Sequence, residues 1–288
     1  LGQKEIEDGW MADFILGVSA VLCAFCLLSA FKTGSIAQLR LFSAASGAAL
    51  YLWAALSGGF GRAAAWLKDS ARRDGFRKEG LQKAEFQKKE FQIEGFQGKN
   101  RTLWALLTAF IIVMILVQAG RMNISLDFDT LWYGVRSEYV LDNGTGIYEN
   151  PGMIGIVYTY SKGLETLTLP LSVLPSFSFQ ISFNWWLLIL TLYGVYRTAS
   201  HMMSLKMAGY LTVFLSAVPA ITNMSITAKT DIITLLFQVV MIEELIRSRK
   251  GEDGALGYAT GAFLLSWTMK PTALLFSSAV FGMGVFGN

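Results

Sequence analysis

The chain has 288 residues, of which 53% are hydrophobic, and a mean hydropathy of +0.45. Soluble domains are seldom so apolar, and here the apolar residues form long blocks with most charged residues between them. The net charge of +3 is too small to indicate nucleic-acid binding. The basic residues are also concentrated in one segment. Composition therefore predicts an all-α, polytopic transmembrane helical bundle with no nucleic-acid partner.

Long apolar segments give the expected number of membrane crossings. A bilayer core of about 30 Å requires about 20 apolar residues in a helix that crosses it. On that basis the sequence predicts about seven spans, near residues 12–31, 41–58, 103–120, 178–197, 207–222, 230–247 and 255–286. The last segment is too long for one crossing, and Pro271 removes a backbone hydrogen bond from a continuous helix. We therefore expect a broken helix directly after Lys270, or a span followed by a short re-entrant piece.

Residues 68–102 are predicted to be a basic cytoplasmic linker. With the preceding residues from Gly59, this stretch carries eleven Lys and Arg residues and a five-residue repeat, GFRKE, GLQKA, EFQKK, EFQIE and GFQGK. A step of five residues turns about 140° on a helix, so the apolar positions of the repeat form no stripe. We therefore divide the chain into an N-terminal transmembrane hairpin, residues 1–67, the linker, and a transmembrane core, residues 103–288.

The distribution of Lys and Arg between the loops predicts the orientation in the membrane. If the basic linker is cytoplasmic, the loop of residues 121–177 lies on the extracytoplasmic side, and it has three basic residues against six acidic ones. Lys32 and Arg40 disagree, because the same count places them in an external loop. The compact loops favour a bacterial cytoplasmic membrane, with the functional site facing outside.

Cysteine and histidine offer little chemistry in this chain. Cys23 and Cys26 have the C-x-x-C spacing, but they lie within the first predicted span with no His or further Cys nearby. We interpret them as small apolar residues of a membrane helix. Because His201 is the only histidine, neither a Ser-His-Asp triad nor a His-rich zinc site is expected.

Charged residues on the predicted external side are the candidate site. Asp127 and Asp129 follow the third span by a few residues, where a carboxylate can act as a general base or bind a divalent cation, or simply cap a helix. Lys229 and Asp231 open the sixth span, and Lys270 ends a helix on the same side. Ionisable groups at membrane depth are usually functional, although a single lysine often only reaches toward the interface. The coincidence of these charged groups on one side of the membrane predicts that they line one polar cavity.

The loop resembles that of the GT-C superfamily of membrane glycosyltransferases, the relatives of protein mannosyltransferases and the aminoarabinose transferase. Members carry a catalytic acid in the first large external loop, and Asp-Phe-Asp at residues 127–129 holds that place. Trp132 and Tyr133 follow, and GIYENPG at residues 146–152 is similar to a Gly/Tyr/Pro-containing stretch of the family.

Later segments of the chain also follow the order of that family. Asp231 begins a span, and Lys-Pro-Thr at residues 270–272 follows in a later one. The family normally has one span before its catalytic loop, whereas this chain adds a hairpin and a linker. The chain begins at Leu1 and stops at Asn288 after an apolar stretch, so we expect it to be the N-terminal part of a longer protein.

The resemblance implies transfer of a sugar from a polyprenyl-phosphate carrier to an extracytoplasmic acceptor, next to membrane lipids. Asp129 or Asp127 would be the catalytic base, with a divalent cation as a candidate cofactor at the two carboxylates. Lys270, with Lys229 or Arg136 as alternatives, would neutralise the leaving phosphate. The other candidates for substrate binding are Asp231, Trp132, Tyr133 and Tyr148.

Three other functions stay open. A polysaccharide polymerase or ligase also works on lipid-linked sugars in long external loops. A transporter or channel would use Lys229, Asp231 and Lys270 along its path, and a broken helix suits that function, although the spans show no internal repeat. A scaffold would use the loops only as tethers.

Overall fold

The computed structural model describes residues 10–56, 97–122, 130, 135, 141–142, 144, 146 and 162–287. These residues form helices joined by turns, with no strand among them and one isolated antiparallel bridge between Gly34 and Gly144. The prediction of an all-α chain is therefore confirmed for the part that the structure describes.

Ten α-helices lie in the described ranges: α1 Trp10–Ala30, α2 Ile36–Leu56, α3 Gln97–Arg121, α4 Gly163–Thr168, α5 Phe177–Met202, α6 Leu205–Ser216, α7 Pro219–Met224, α8 Asp231–Arg249, α9 Ala255–Met269 and α10 Ala273–Phe286. A 3-10 turn, Leu169–Leu171, follows α4. Helices thus occur in each of the apolar segments from which spans are predicted.

The chain forms two compact units. The larger consists of Leu1–Arg40 and Leu106–Asn288, and the smaller of Leu41–Ala105. In the smaller unit the described residues are the greater part of α2 and the first residues of α3. The predicted domain boundaries at residues 67 and 102 stay predictions, but α1 belongs to the same unit as the helices from α4 onward.

Helix α8 lies at the centre of the larger unit, where it packs against α5, α9 and α10. A helix that is apolar on nearly all sides must be buried, and α8 has such a sequence over its first three turns. Its apolar side chains that are at most 1% exposed are Ile232, Ile233, Leu236, Phe237, Val240 and Met241.

Helix α1 packs against this centre. The ring of Phe14 lies 5.5 Å from that of Phe237 of α8, and the ring of Trp10 lies 5.6 Å from that of Tyr193 of α5. The N-terminal helix is therefore part of the main core.

Helices α9 and α10 form an antiparallel hairpin that breaks at Pro271, as predicted. Ser266 Oγ near the end of α9 lies 2.9 Å from Ser277 Oγ near the start of α10. At the other end of the hairpin, Arg249 donates to the carbonyl oxygens of Met283 and Gly284 at 2.7 and 3.0 Å. These carbonyl groups lie in the last turn of α10, where the Met283 oxygen also accepts from the Gly287 N–H at 3.0 Å. Arg249 thus fixes α10 to the end of α8.

Two helical segments of the described residues, Trp10–Ala30 and Thr102–Arg121, are long and apolar enough to cross a membrane. The apolar helices Leu205–Ser216 and Ala273–Phe286 are shorter. Length and composition therefore support membrane crossing for two of the seven predicted spans.

Candidate functional site

An ion pair between Asp231 and Lys270 lies at one end of the larger unit. Asp231 is the first residue of α8, and Lys270 directly follows α9, because the residue before a proline is disfavoured in a helix. The Lys270 ammonium donates to the carboxylate of Asp231, and the two side chains are 39% and 26% exposed. The structure thus brings together two predicted site residues, and it leaves them accessible to a ligand.

Asn184 of α5 fixes the turn that precedes α8. Its side-chain amide donates to the carbonyl oxygens of Thr227 and Lys229 at 2.5 and 2.8 Å. Asn184 is 1% exposed and Thr227 is 7% exposed, so losing the first bond would leave the buried Thr227 carbonyl oxygen without this donor. The backbone of Lys229, the third predicted residue, is therefore held two positions before Asp231.

Thr130 connects the acidic loop with the same turn. It is fully buried, and its Oγ1 accepts a hydrogen bond from the Ala228 N–H at 3.0 Å. Its carbonyl oxygen accepts from the Val135 N–H, also at 3.0 Å. Thr130, which directly follows Asp129 in the sequence, thus docks beside Ala228, the residue that precedes Lys229.

The end of α3, from which the loop begins, is held at this end as well. Arg121 donates to Asn223 Oδ1 of α7 at 2.9 Å and to Gln118 Oε1 at 3.1 Å. About one and a half turns before Arg121 on α3, the carbonyl oxygen of Ile115 accepts a hydrogen bond from the indole N–H of Trp185 of α5 at 3.0 Å. Side chains of α5 and α7 thus fix the point at which the loop leaves α3.

The short helix α4 adds a carboxyl group with a raised pKa. A Cβ atom on Gly163 would lie 2.7 Å from Met269 Sδ, so α4 packs directly against the end of α9, one residue before Lys270. Burial raises the pKa of Glu165 to about 7, although a backbone hydrogen bond and Lys162 act against this. Burial lowers the pKa of Lys162. A carboxyl group with a pKa near 7 can accept or donate a proton at neutral pH.

No family model, curated protein or solved structure matches the chain. Its chemistry therefore rests on its own residues. At this end of the unit they are an accessible ion pair, a carboxyl group that titrates near neutral pH, and the docking point of an acidic loop.

The remaining predicted site residues lie outside the described residues: Asp127, Asp129, Trp132, Tyr133, Arg136 and Tyr148. Their roles stay predictions. Among the described residues, no group of three or more His, Cys, Asp and Glu side chains could hold a metal ion.

Asn184 and Glu165 are the residues of this end that the sequence interpretation missed. The signal for Asn184 is a polar side chain within the apolar segment FSFQISFNWWLLIL, where it requires hydrogen-bond partners. Glu165 has no comparable signal, because its burial depends on how α4 packs against other helices.

A separate charge network lies at the opposite end of α8. His201 Nε2 lies 2.8 Å from Glu243 Oε1, and Lys250 Nζ lies 3.0 Å from His201 Nδ1. Arg247 donates to Glu244 at 2.9 Å. Glu243 and Glu244 are 1% and 0% exposed, and these contacts give each buried carboxyl group one hydrogen-bond partner.

Proposed function

We propose that the chain is part of a membrane glycosyltransferase that transfers a sugar from a polyprenyl-phosphate-linked donor to an extracytoplasmic acceptor, which is a cell-envelope glycan, lipid or protein. The observation that carries this proposal is the accessible pair of Asp231 and Lys270 at the end where Thr130, the neighbour of Asp129, docks. Such a transfer requires a base for the acceptor and a cation for the leaving phosphate.

The proposal includes a membrane-embedded bundle of about seven spans with its site on the extracytoplasmic side. Large apolar side chains on its helices support this, because they face outward at high exposure. Those at least half exposed include Leu16, Leu27, Leu106, Leu116, Phe214, Leu264 and Leu275. Contiguous apolar surface is costly in water and costs little in lipid. The basic linker and the acidic loop support the orientation.

In the proposed reaction the acceptor oxygen bonds to the anomeric carbon of the sugar, while the bond from that carbon to the carrier phosphate oxygen breaks. Asp129, with Asp127 as the alternative, accepts the proton of the acceptor hydroxyl group. The ammonium group of Lys270 neutralises the charge that develops on the phosphate. Asp231 holds this ammonium in place before the donor binds, and the phosphate then competes with Asp231 for it.

The other candidates belong to the donor site of the same proposal. Lys229 and Arg136 supply further positive charge for the phosphate. The aromatic side chains of Trp132, Tyr133 and Tyr148 stack on the sugar or contact the lipid. A polysaccharide polymerase or ligase would use the same lipid-linked chemistry and is distinguished by its acceptor.

A transport function is the second candidate, because polar side chains continue inward from the ion pair. Gln238 lies two turns after Asp231 on the same side of α8, and it donates to Ser277 Oγ at 3.3 Å. Ser277 in turn contacts Ser266. A polar line that begins at a broken helix is a feature of some transporters.

The test is sugar transfer by the full-length protein in membranes supplied with a radiolabelled pool of polyprenyl-phosphate sugars. Asp129→Asn preserves the size of the side chain and removes its charge, and Asp127→Asn makes the same change at the alternative base. We expect Asp129→Asn to abolish transfer at an unchanged protein level. Full activity of this variant would exclude Asp129 as the base, and no transfer by the wild type with several donors would favour transport.

A further inference from the structure

The turn between α1 and α2 is bound to a distant segment of the chain. The Gly34 N–H donates to the Gly144 carbonyl oxygen at 2.9 Å. The Ile36 N–H donates to Asp142 Oδ1 at 2.7 Å, across 106 positions of sequence. The first N–H groups of a helix have no partner within it, and a carboxylate there is favoured by the helix dipole. The Asp142 side chain, in the loop of residues 121–177, therefore caps the N-terminus of α2.

Arg40 of α2 binds a second segment of the same loop, close to its C-terminal end. Its Nε and Nη2 atoms donate to the Pro170 carbonyl oxygen at 3.1 and 2.8 Å, across 130 positions. Pro170 lies in the 3-10 turn that follows α4. One helical turn and a half of α2 thus holds the chain both before and after the stretch of residues 147–161.

A small apolar cluster, separate from the main core, lies beneath these hydrogen bonds. Phe25 of α1 and Leu39 of α2 pack there with Leu141 and Leu169, each 0% exposed, and Ile36 is 6% exposed. Burial of apolar surface favours this arrangement. The cluster joins α1 and α2 to Leu141 and Leu169, which lie before and after the stretch of residues 147–161.

The loop backbone also lies directly against α1. A Cβ atom on Gly146 would lie 2.1 Å from Ser29 Oγ and 3.1 Å from Phe25 Cζ, and the φ angle of Gly146 is +52°. Glycine alone accepts both the close approach and the left-handed conformation without strain. Gly146, the first residue of GIYENPG, thus has a packing role.

We infer that residues 29–40 form a clamp that positions Leu141, Asp142 and the turn after α4, with Asp142 and Arg40 as positioning residues for the reaction. Its effect on activity rests on the proposed function. A loop of this length loses much conformational entropy when it is ordered, and a site works faster when its groups are already in place. The clamp fixes Asp142 and Pro170 before a donor binds, which gives the N-terminal hairpin a role beyond anchoring.

The clamp itself is tested by the reactivity of a cysteine at position 29, where Ser29 is 2% exposed. Ser29→Cys is introduced into the full-length protein after Cys23→Ala and Cys26→Ala, and labelling by a water-soluble maleimide is timed in detergent. Asp142→Ala removes the acceptor for Ile36, and we expect labelling to become about fivefold faster, the factor that one lost helix cap corresponds to. Asp142→Asn retains an acceptor oxygen and should label within about twofold of the parent protein.

Sugar transfer by the same Asp142 variants tests the positioning role. We expect Asp142→Ala to lower kcat while KM for the donor changes little, and Asp142→Asn to restore kcat. Unchanged labelling of the Asp142→Ala protein would overturn the clamp. Faster labelling with an unchanged kcat would overturn the positioning role. If the wild type transfers no sugar, the proposed function and the positioning role fail together, while labelling still decides whether the clamp exists.

Discussion

Asp231 and Lys270, which are 39 positions apart in the chain, form an ion pair that joins the start of α8 to the end of α9. Pro271 ends α9 at this point, and the pair is exposed enough for a ligand to reach it. Exposed pairs contribute little to stability, at most about 1 kcal/mol. The pair therefore adds little to the stability of the fold.

The first prediction concerns this pair. Asp231→Asn should lower the free energy of unfolding by less than about 1 kcal/mol, because the pair is screened by solvent. It should nevertheless reduce sugar transfer, since the Lys270 ammonium loses its partner and its position. Thermal unfolding in detergent and a transfer assay check the two parts, with Asp253→Asn as the surface control. A large loss of stability with normal transfer would contradict the prediction.

The second prediction concerns Asn184. Asn184→Ala removes two hydrogen bonds and leaves the buried Thr227 carbonyl oxygen without this donor, which should cost about 2 kcal/mol. The control is Ser182→Ala on the same helix, which removes only an exposed bond to the Phe179 carbonyl oxygen and should cost less than about 0.5 kcal/mol. Equal unfolding temperatures for the two variants would show that Asn184 does not hold the turn.

The third prediction is a pH dependence that arises from Glu165. Its pKa is about 7 in the folded protein against an ordinary value of 4.5, so the folded state binds this proton more tightly than the unfolded state does. The associated stability is complete below pH 4.5 and is lost as the pH rises through 7, with a limit of about 3 kcal/mol. Glu165→Gln cannot ionise, so it should unfold at a higher temperature than the wild type at pH 8. The two should differ little at pH 4.5.

The fourth prediction tests the contact between Gly146 and Ser29 by a double-mutant cycle. Gly146→Ala should destabilise the protein by about 2 kcal/mol or more, through the close contact and the strained backbone. Ser29→Ala removes the Oγ atom that the new methyl group would meet, so the double variant should recover part of the loss. Gly47→Ala, where a Cβ atom meets nothing within 4 Å, is the matched control. Strictly additive losses would contradict direct contact.

Much of the helical framework follows from the sequence. Apolar segments long enough for a span predict helices, and those helices are present. Pro271 predicts the break between α9 and α10, since a proline cannot continue the hydrogen bonding of a helix. Loop counting placed Asp231 and Lys270 on one side, and the structure brings them into contact.

The rest depends on contacts between distant residues, which a single sequence does not encode locally. Arg40 disagreed with the charge rule, and its side chain binds the Pro170 carbonyl oxygen, so packing explains its position. Asp142 caps a helix that precedes it by more than a hundred residues. The burial of Glu165 likewise depends on where α4 packs. Each of these follows from tertiary packing and has no signature in its neighbouring residues.

The most direct test of the central claim is the rate of sugar transfer by Lys270→Gln and Lys270→Arg, measured beside the wild type in the same membranes. A cation that neutralises the leaving phosphate predicts that Lys270→Gln lowers kcat at least about a hundredfold. Lys270→Arg, which keeps the charge, should retain a substantial part of the activity. Equal rates for Lys270→Gln and the wild type, at equal protein levels, would contradict the account.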